Sequence, residues 1–161
     1  MEKKKIIGII GPGSGAADED FEAAFEIGKL AAENNFYVLT GGRAAGVMEA
    51  AMKGAKSAGG ITIGILPSED GSDQSEYVDI PIKTGMGSAR NNINVLTADI
   101  VVGIGMGPGT ASEIALAIKA QKKVLLINQR DDVIEFFRSF NRDKLFILSN
   151  TEELADHLDD H

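Results

Sequence analysis

The sequence predicts one α/β domain over residues 1–161, a doubly wound parallel sheet with helices on both faces. Three observations carry that expectation. Short apolar runs bounded by turn residues recur along the chain and read as buried parallel strands. Helix-length segments follow them, so β and α alternate from end to end. Glycines cluster at Gly11–Gly15, Gly41–Gly46, Gly85–Gly87 and Gly105–Gly109, at the strand ends and helix starts where sheets of this class bind ligands.

Lys5–Ile10 reads as the first strand, with GPGSG behind it. Asp18–Asn34 reads as a helix whose acidic start suits the dipole, with Phe21, Phe25, Ile27 and Leu30 expected on its buried face. Phe36–Thr40 is the second strand, closed by Gly41, Gly42 and Arg43. A dinucleotide site of the Rossmann kind wants an acidic residue there for the ribose hydroxyls; Thr40 and two glycines argue against NAD. Gly46–Ser57 follows as an alanine-rich helix with Val47, Ala51, Ala55 and Ala58 as its packing stripe, and Ile61–Leu66 is the third strand.

The polar segment 67–77, PSEDGSDQSEY, reads as a solvated surface loop in preference to a mobile lid. Val78–Lys83 reads as a short strand that Pro81 confines to an edge. Arg90–Ala98 reads as a short helix burying Ile93, Leu96 and Val95. A cation in its first turn opposes the helix dipole, so Arg90 is more easily explained if an anion or carboxylate faces it. The apolar run ending at Ile104 is the next strand. Lys123–Ile127 is another, Asp131–Phe140 a helix, Leu145–Leu148 the last strand and Thr151–Leu158 a closing helix.

Composition narrows the function classes. The chain has no cysteine, which excludes thiol catalysis, cysteine–zinc sites and disulfides. No apolar run approaches the roughly 20 residues of a membrane span, so no membrane partner is expected. The basic start before IIGII mimics a signal peptide, but its apolar part is short and runs into glycines; a cytoplasmic protein is expected. The net charge of −8 disfavours nucleic acid. His157 and His161 both lie at the acidic terminus, and no metal site is expected.

The stretch richest in chemistry is Val101–Gln121, VVGIGMGPGTASEIALAIKAQ, where Gly103, Gly105, Gly107 and Gly109 join an apolar run to a helix pattern. Glycines let the backbone approach a ligand closely, and a helix start presents unpaired N–H groups and a positive dipole end. Gly11, Gly13, Gly15, Gly41, Gly42, Gly105, Gly107, Gly109 and Thr110 are therefore candidate phosphate-binding residues, with Arg43 beside them. Glu113 has two readings. It is a carboxylate aimed at a ligand, or it closes a capping box with Thr110 in TASE.

GGRAAGVMEAA at 41–51 and GMGPGTASE at 105–113 resemble the signature loops of the Lonely Guy proteins, once described as lysine decarboxylases. The wider group includes the Rossmann-like domains of DNA-processing protein A. The resemblance covers most of the chain and is closest to the compact bacterial branch that contains the molybdenum-cofactor carrier proteins. Lonely Guy enzymes cut the N-glycosidic bond of a nucleoside 5′-monophosphate, releasing free base and ribose 5-phosphate. The last glycine, threonine and glutamate of the family pattern PGGxGTxxE align with Gly109, Thr110 and Glu113, and the family arginine with Arg90, which makes Arg90 and Glu113 the candidate catalytic pair. Asn91 stands where the family has lysine, Met106 replaces the proline, and Pro108 fills the variable position. These departures favour a binding protein for a phosphorylated heterocycle, nucleotide or pterin, with the phosphoribohydrolase as the alternative. The resemblance also implies a homodimer or higher homo-oligomer. No resident cofactor is required; the molybdenum cofactor or a nucleotide would be the bound ligand.

Overall fold

The computed structural model describes residues 3–158, so His161 lies outside the described residues. The chain forms β1 (Ile6–Ile10), α1 (Asp18–Glu33), β2 (Tyr37–Thr40), α2 (Gly46–Ser57), β3 (Thr62–Leu66) and β4 (Ile80–Lys83). A 3-10 turn (Gly87–Arg90) leads into α3 (Asn91–Thr97), followed by β5 (Ile100–Ile104), α4 (Pro108–Lys119), β6 (Lys123–Ile127), α5 (Asp131–Arg138), β7 (Leu145–Ile147) and a closing 3-10 helix (Thr151–His157). The closing segment is tighter than the α-helix expected, with the Asn150 side chain accepting from the Glu153 amide.

The seven strands pair in the order β4-β3-β2-β1-β5-β6-β7, all parallel. The chain thus winds outward from β1 in one direction and, after β4, from β5 in the other. This is a doubly wound, Rossmann-like arrangement. Pro81 sits on the edge strand, where its missing donor is tolerated. Alternate residues of the central strands serve opposite cores. Ile7, Ile9, Val38, Ile100 and Val102 pack under α1 and α2, and Ile10, Val101, Val124 and Leu126 under α3, α4 and α5. Each fully buried isoleucine or leucine contributes about 1.5–3 kcal/mol.

Helix α1 buries Ile27 as expected and packs Leu30 against the core, but the centre of its buried face is shifted from the one expected. Ala23, Ala24, Ile27, Gly28 and Ala31 are covered, whereas Phe21 is 40% exposed and Phe25 and Leu30 are half-buried. The cause is the contact with α2. A Cβ on Gly28 would collide with the Ala51 carbonyl, and one on Gly54 with the Phe25 carbonyl. The two helices meet backbone to backbone, which leaves no room for phenylalanine between them. In α3 the expectation holds for Val95, buried, and for Ile93, partly buried against the sheet; Leu96 is 54% exposed because it turns away from the sheet.

Candidate functional site

Where the strand order reverses, β1 and β5 lie side by side, and their chains leave for helices on opposite faces. The loops diverge and open a crevice at the carboxyl ends of the strands. A cavity of about 450 Å³ fills it, walled by Gly11–Gly15, Gly41, Arg43, Arg90, Gly107–Thr110 and Glu113, with Met48 and Met106 as soft apolar surface. Ten of the twelve candidate residues named from the sequence therefore meet in one place; Gly42 and Gly105 stand behind the wall. Gly105 has φ +65°, and a side chain there would strike the Asp20 carboxylate. Gly42 packs against Gly64, 2.9 Å from where its Cβ would be.

Helix α4 begins earlier than the capping-box reading requires. Gly107 is the N-cap and Pro108 occupies the first turn, where its fixed φ and missing N–H suit the helix start. Thr110 and Glu113 consequently lie inside the helix, and no side chain caps it. The cap explanation of Glu113 is thereby overturned. Thr110 is 2% exposed and lines the cavity wall, and its buried Oγ1 has no hydrogen-bond partner among the described residues. Such a group costs about 1–3 kcal/mol unless something satisfies it. Gly109 beside it has open space where a Cβ would be, so the first turn of α4 is bare toward the cavity.

Arg90 closes the 3-10 turn and precedes α3. Its guanidinium is buried and fixed on three sides: Nε donates to the Ile65 carbonyl at 2.7 Å, Nη1 to Asn91 Oδ1 at 3.0 Å, and Nη2 to the Gly41 carbonyl at 3.4 Å. A Cβ on Gly41 would lie 2.7 Å from Nη2, so a glycine is needed for the arginine to pass. Asn91, which replaces the family lysine, bridges Arg90 to α4 by donating to Ser112 Oγ at 3.0 Å. Burial pulls the Arg90 guanidinium below its ordinary range, opposed by the charge of Glu113, and it stays a cation at neutral pH.

Glu113 is 8% exposed, and burial pushes its carboxyl up to about 7. Two groups pull the other way: Asn94 Nδ2, which donates to Glu113 Oε2 at 2.9 Å, and the Arg90 charge. Near neutrality the carboxyl is divided between its two protonation states, so it can hold or release a proton beside a fixed cation. Arg43 reaches the cavity from the β2–α2 loop and pairs with Asp73, Nε to Oδ2, at 3.5 Å. Asn94 and Asp73 escaped the sequence reading, and Asn91 was noted only as a departure from the family lysine. Asn91 and Asn94, three apart on a short helix, were the available hint for a polar contact with α4.

Residues 67–77 are strapped down. Ser75 N donates to the Gly42 carbonyl at 2.9 Å and Ala44 N to the Asp73 carbonyl at 3.0 Å. The surface loop expected there is present, with Glu69, Asp70, Ser72 and Glu76 exposed, and it also braces the β2–α2 loop. Among the described residues no cluster of histidine, cysteine or carboxylate could hold a metal ion, and no helix is long and apolar enough to cross a membrane.

A family model described as the SLOG cluster4 family matches residues 4–155. The chain belongs to that family. It is similar to the molybdenum cofactor binding protein of Rippkaea orientalis, at 46% identity and a TM-score of 0.95, over 98% of this chain and 96% of that one. It is also similar to the Moco carrier protein of Chlamydomonas reinhardtii, at 46% identity and a TM-score of 0.91, over 96% and 95% of the two chains. A protein of Archaeoglobus fulgidus is 42% identical over 83% of this chain and 86% of its own length. The similarity to molybdenum-cofactor binding and carrier proteins agrees with the resemblance expected from the sequence.

Proposed function

We propose that the protein binds a phosphorylated heterocycle, of the molybdenum-cofactor or nucleotide kind, as a carrier. The observation that carries this reading is the buried, unpartnered Thr110 hydroxyl at the start of α4, in a cavity that also receives Arg43 and the rigid Arg90. A phosphate there accepts from the hydroxyl and the first-turn amides and meets the positive end of the helix. Met48 and Met106 offer apolar surface for a ring. The similarity to proteins described as molybdenum cofactor binding or carrier proteins supports the ligand class.

Thr110→Val tests it. The variant keeps the shape and removes the orphaned hydroxyl, so the free protein should be as stable as wild type or more so. Ligand-induced stabilisation, about 2.7 kcal/mol at a hundredfold excess over Kd for wild type, should shrink. Molybdopterin, 5′-GMP and 5′-AMP that all leave the wild-type Tm unmoved would count against the site.

A second reading, the phosphoribohydrolase, is favoured by one observation: a buried carboxyl titrating at about 7 in the cavity near a fixed arginine. Ionised Glu113 would orient water and stabilise an oxocarbenium-like transition state, and the products would be free base and ribose 5-phosphate. Glu113→Gln should then lower base release by a factor on the order of 10². Wild type that binds nucleoside monophosphates without turnover leaves the carrier reading standing alone.

A further inference from the structure

Arg43 and Arg90 face one cavity, and the Arg43 charge opposes that of the Arg90 guanidinium. One carboxylate answers both. Asp73 pairs with Arg43, and its charge also supports Arg90. Asp73 does not line the cavity; it stands behind Arg43 and meets the Nε side of the guanidinium at 3.5 Å. The printed contact of the pair runs through Nε, and Arg43 itself lines the cavity wall.

The carboxylate is itself held in place. Ser68 Oγ donates to Asp73 Oδ1 at 2.7 Å, and the same hydroxyl accepts from the Gly71 amide at 3.1 Å. The backbone around it is fastened to the β2–α2 loop by the Ala44 and Ser75 amides and by an antiparallel bridge between Arg43 and Gln74. The pair is partly exposed, with side chains 49% and 30% accessible, so it adds little to folding. Its geometry is what matters, because guanidinium is planar and a partner on Nε fixes where the Nη fork points.

We propose that Asp73 is a positioning residue of the ligand site, holding Arg43 by Nε so that its Nη fork is presented to a ligand phosphate. This rests on the phosphate-binding reading above. The competing effect is the carboxylate's own charge, which repels an anion in the cavity through a wet, screened path. If that effect dominated, removing Asp73 would tighten binding.

The test is an amide NMR titration with inorganic phosphate on wild type, Asp73→Asn, Arg43→Ala and the double variant. Phosphate should shift the Gly109 and Thr110 amides of wild type. Asp73→Asn should weaken phosphate about three- to fivefold, the upper end of what a partly exposed ion pair contributes. The same substitution in the Arg43→Ala background should change the affinity less than twofold. Unchanged or tighter binding by Asp73→Asn, or an equal loss in both backgrounds, overturns the proposal. The Arg43 Nε–H signal supplies a second readout without ligand: its order parameter should be lower in Asp73→Asn than in wild type, because the ion pair that restrains the side chain is gone. Wild-type amides that ignore phosphate would sink the phosphate reading, while the Nε–H signal still decides whether Asp73 holds Arg43.

Discussion

Glu113 should make this protein less stable as pH rises, opposite to an ion-paired surface carboxylate. Its carboxyl titrates at about 7 in the fold against an ordinary 4.5. Between those values the native state holds a proton that the unfolded chain has released. The slope of unfolding free energy with pH is then negative: the group's stabilising contribution is complete below about 4.5, declines through the interval, and is gone above about 7. The gap corresponds to about 3 kcal/mol. Glu113→Gln replaces the titrating group with a neutral one of the same shape, and its amide oxygen still accepts from Asn94. At pH 4 both proteins carry a neutral side chain and should differ little. At pH 8 the variant should be the more stable by up to about 3 kcal/mol, or roughly 6–12 °C in Tm for a chain of this length. Urea unfolding of both proteins from pH 4 to pH 8 reads the effect as a difference, so the other carboxylates cancel. A difference that stays flat across the series, or a variant weaker than wild type at pH 8, would refute the account of Glu113.

Arg90→Ala should push the Glu113 titration higher still, since the arginine charge holds it down; a carbon-13 carboxyl titration reads the direction. The same variant should also weaken phosphate ligands. Gly54→Ala should destabilise by about 1–3 kcal/mol through overpacking against the Phe25 carbonyl, with the urea m-value unchanged. The homo-oligomer implied by the family resemblance should show as at least a dimer in light scattering at micromolar concentration; a monomer mass would remove it. The exposed Ile80 and Ile82 on β4, with the exposed Ile61 just before the neighbouring β3, are the surface to probe first.

The sheet was legible because its signals are local: apolar runs, glycines at their ends, and a proline that belongs on an edge. Strand bounds fell within a residue or two for that reason. The centre of the buried face of α1 was not legible, since apolar character ranks Phe21 above Gly28 while the packing favours the residue with no side chain. The cap reading of Glu113 fails for a reason the sequence did carry: Pro108 just inside a helix start marks the first turn, and it places Thr110 beyond the cap.

Asn94 and Asp73 are different in kind. Each looks, along the chain, like a solvated residue among others of its type. Asn94 acquires its role from Glu113, on the helix packed beside it, and Asp73 from Arg43, across a pair of strapped loops. Both partners were singled out from sequence; neither supporting residue was. A ligand-facing residue leaves a trace in its own loop, because glycines and helix starts must accompany it. The residue that orients it is constrained by a contact in space alone, and single-sequence patterns hold no record of that contact. The supporting groups of this site are therefore where substitution should reveal most, and Asp73 and Asn94 come before any further glycine.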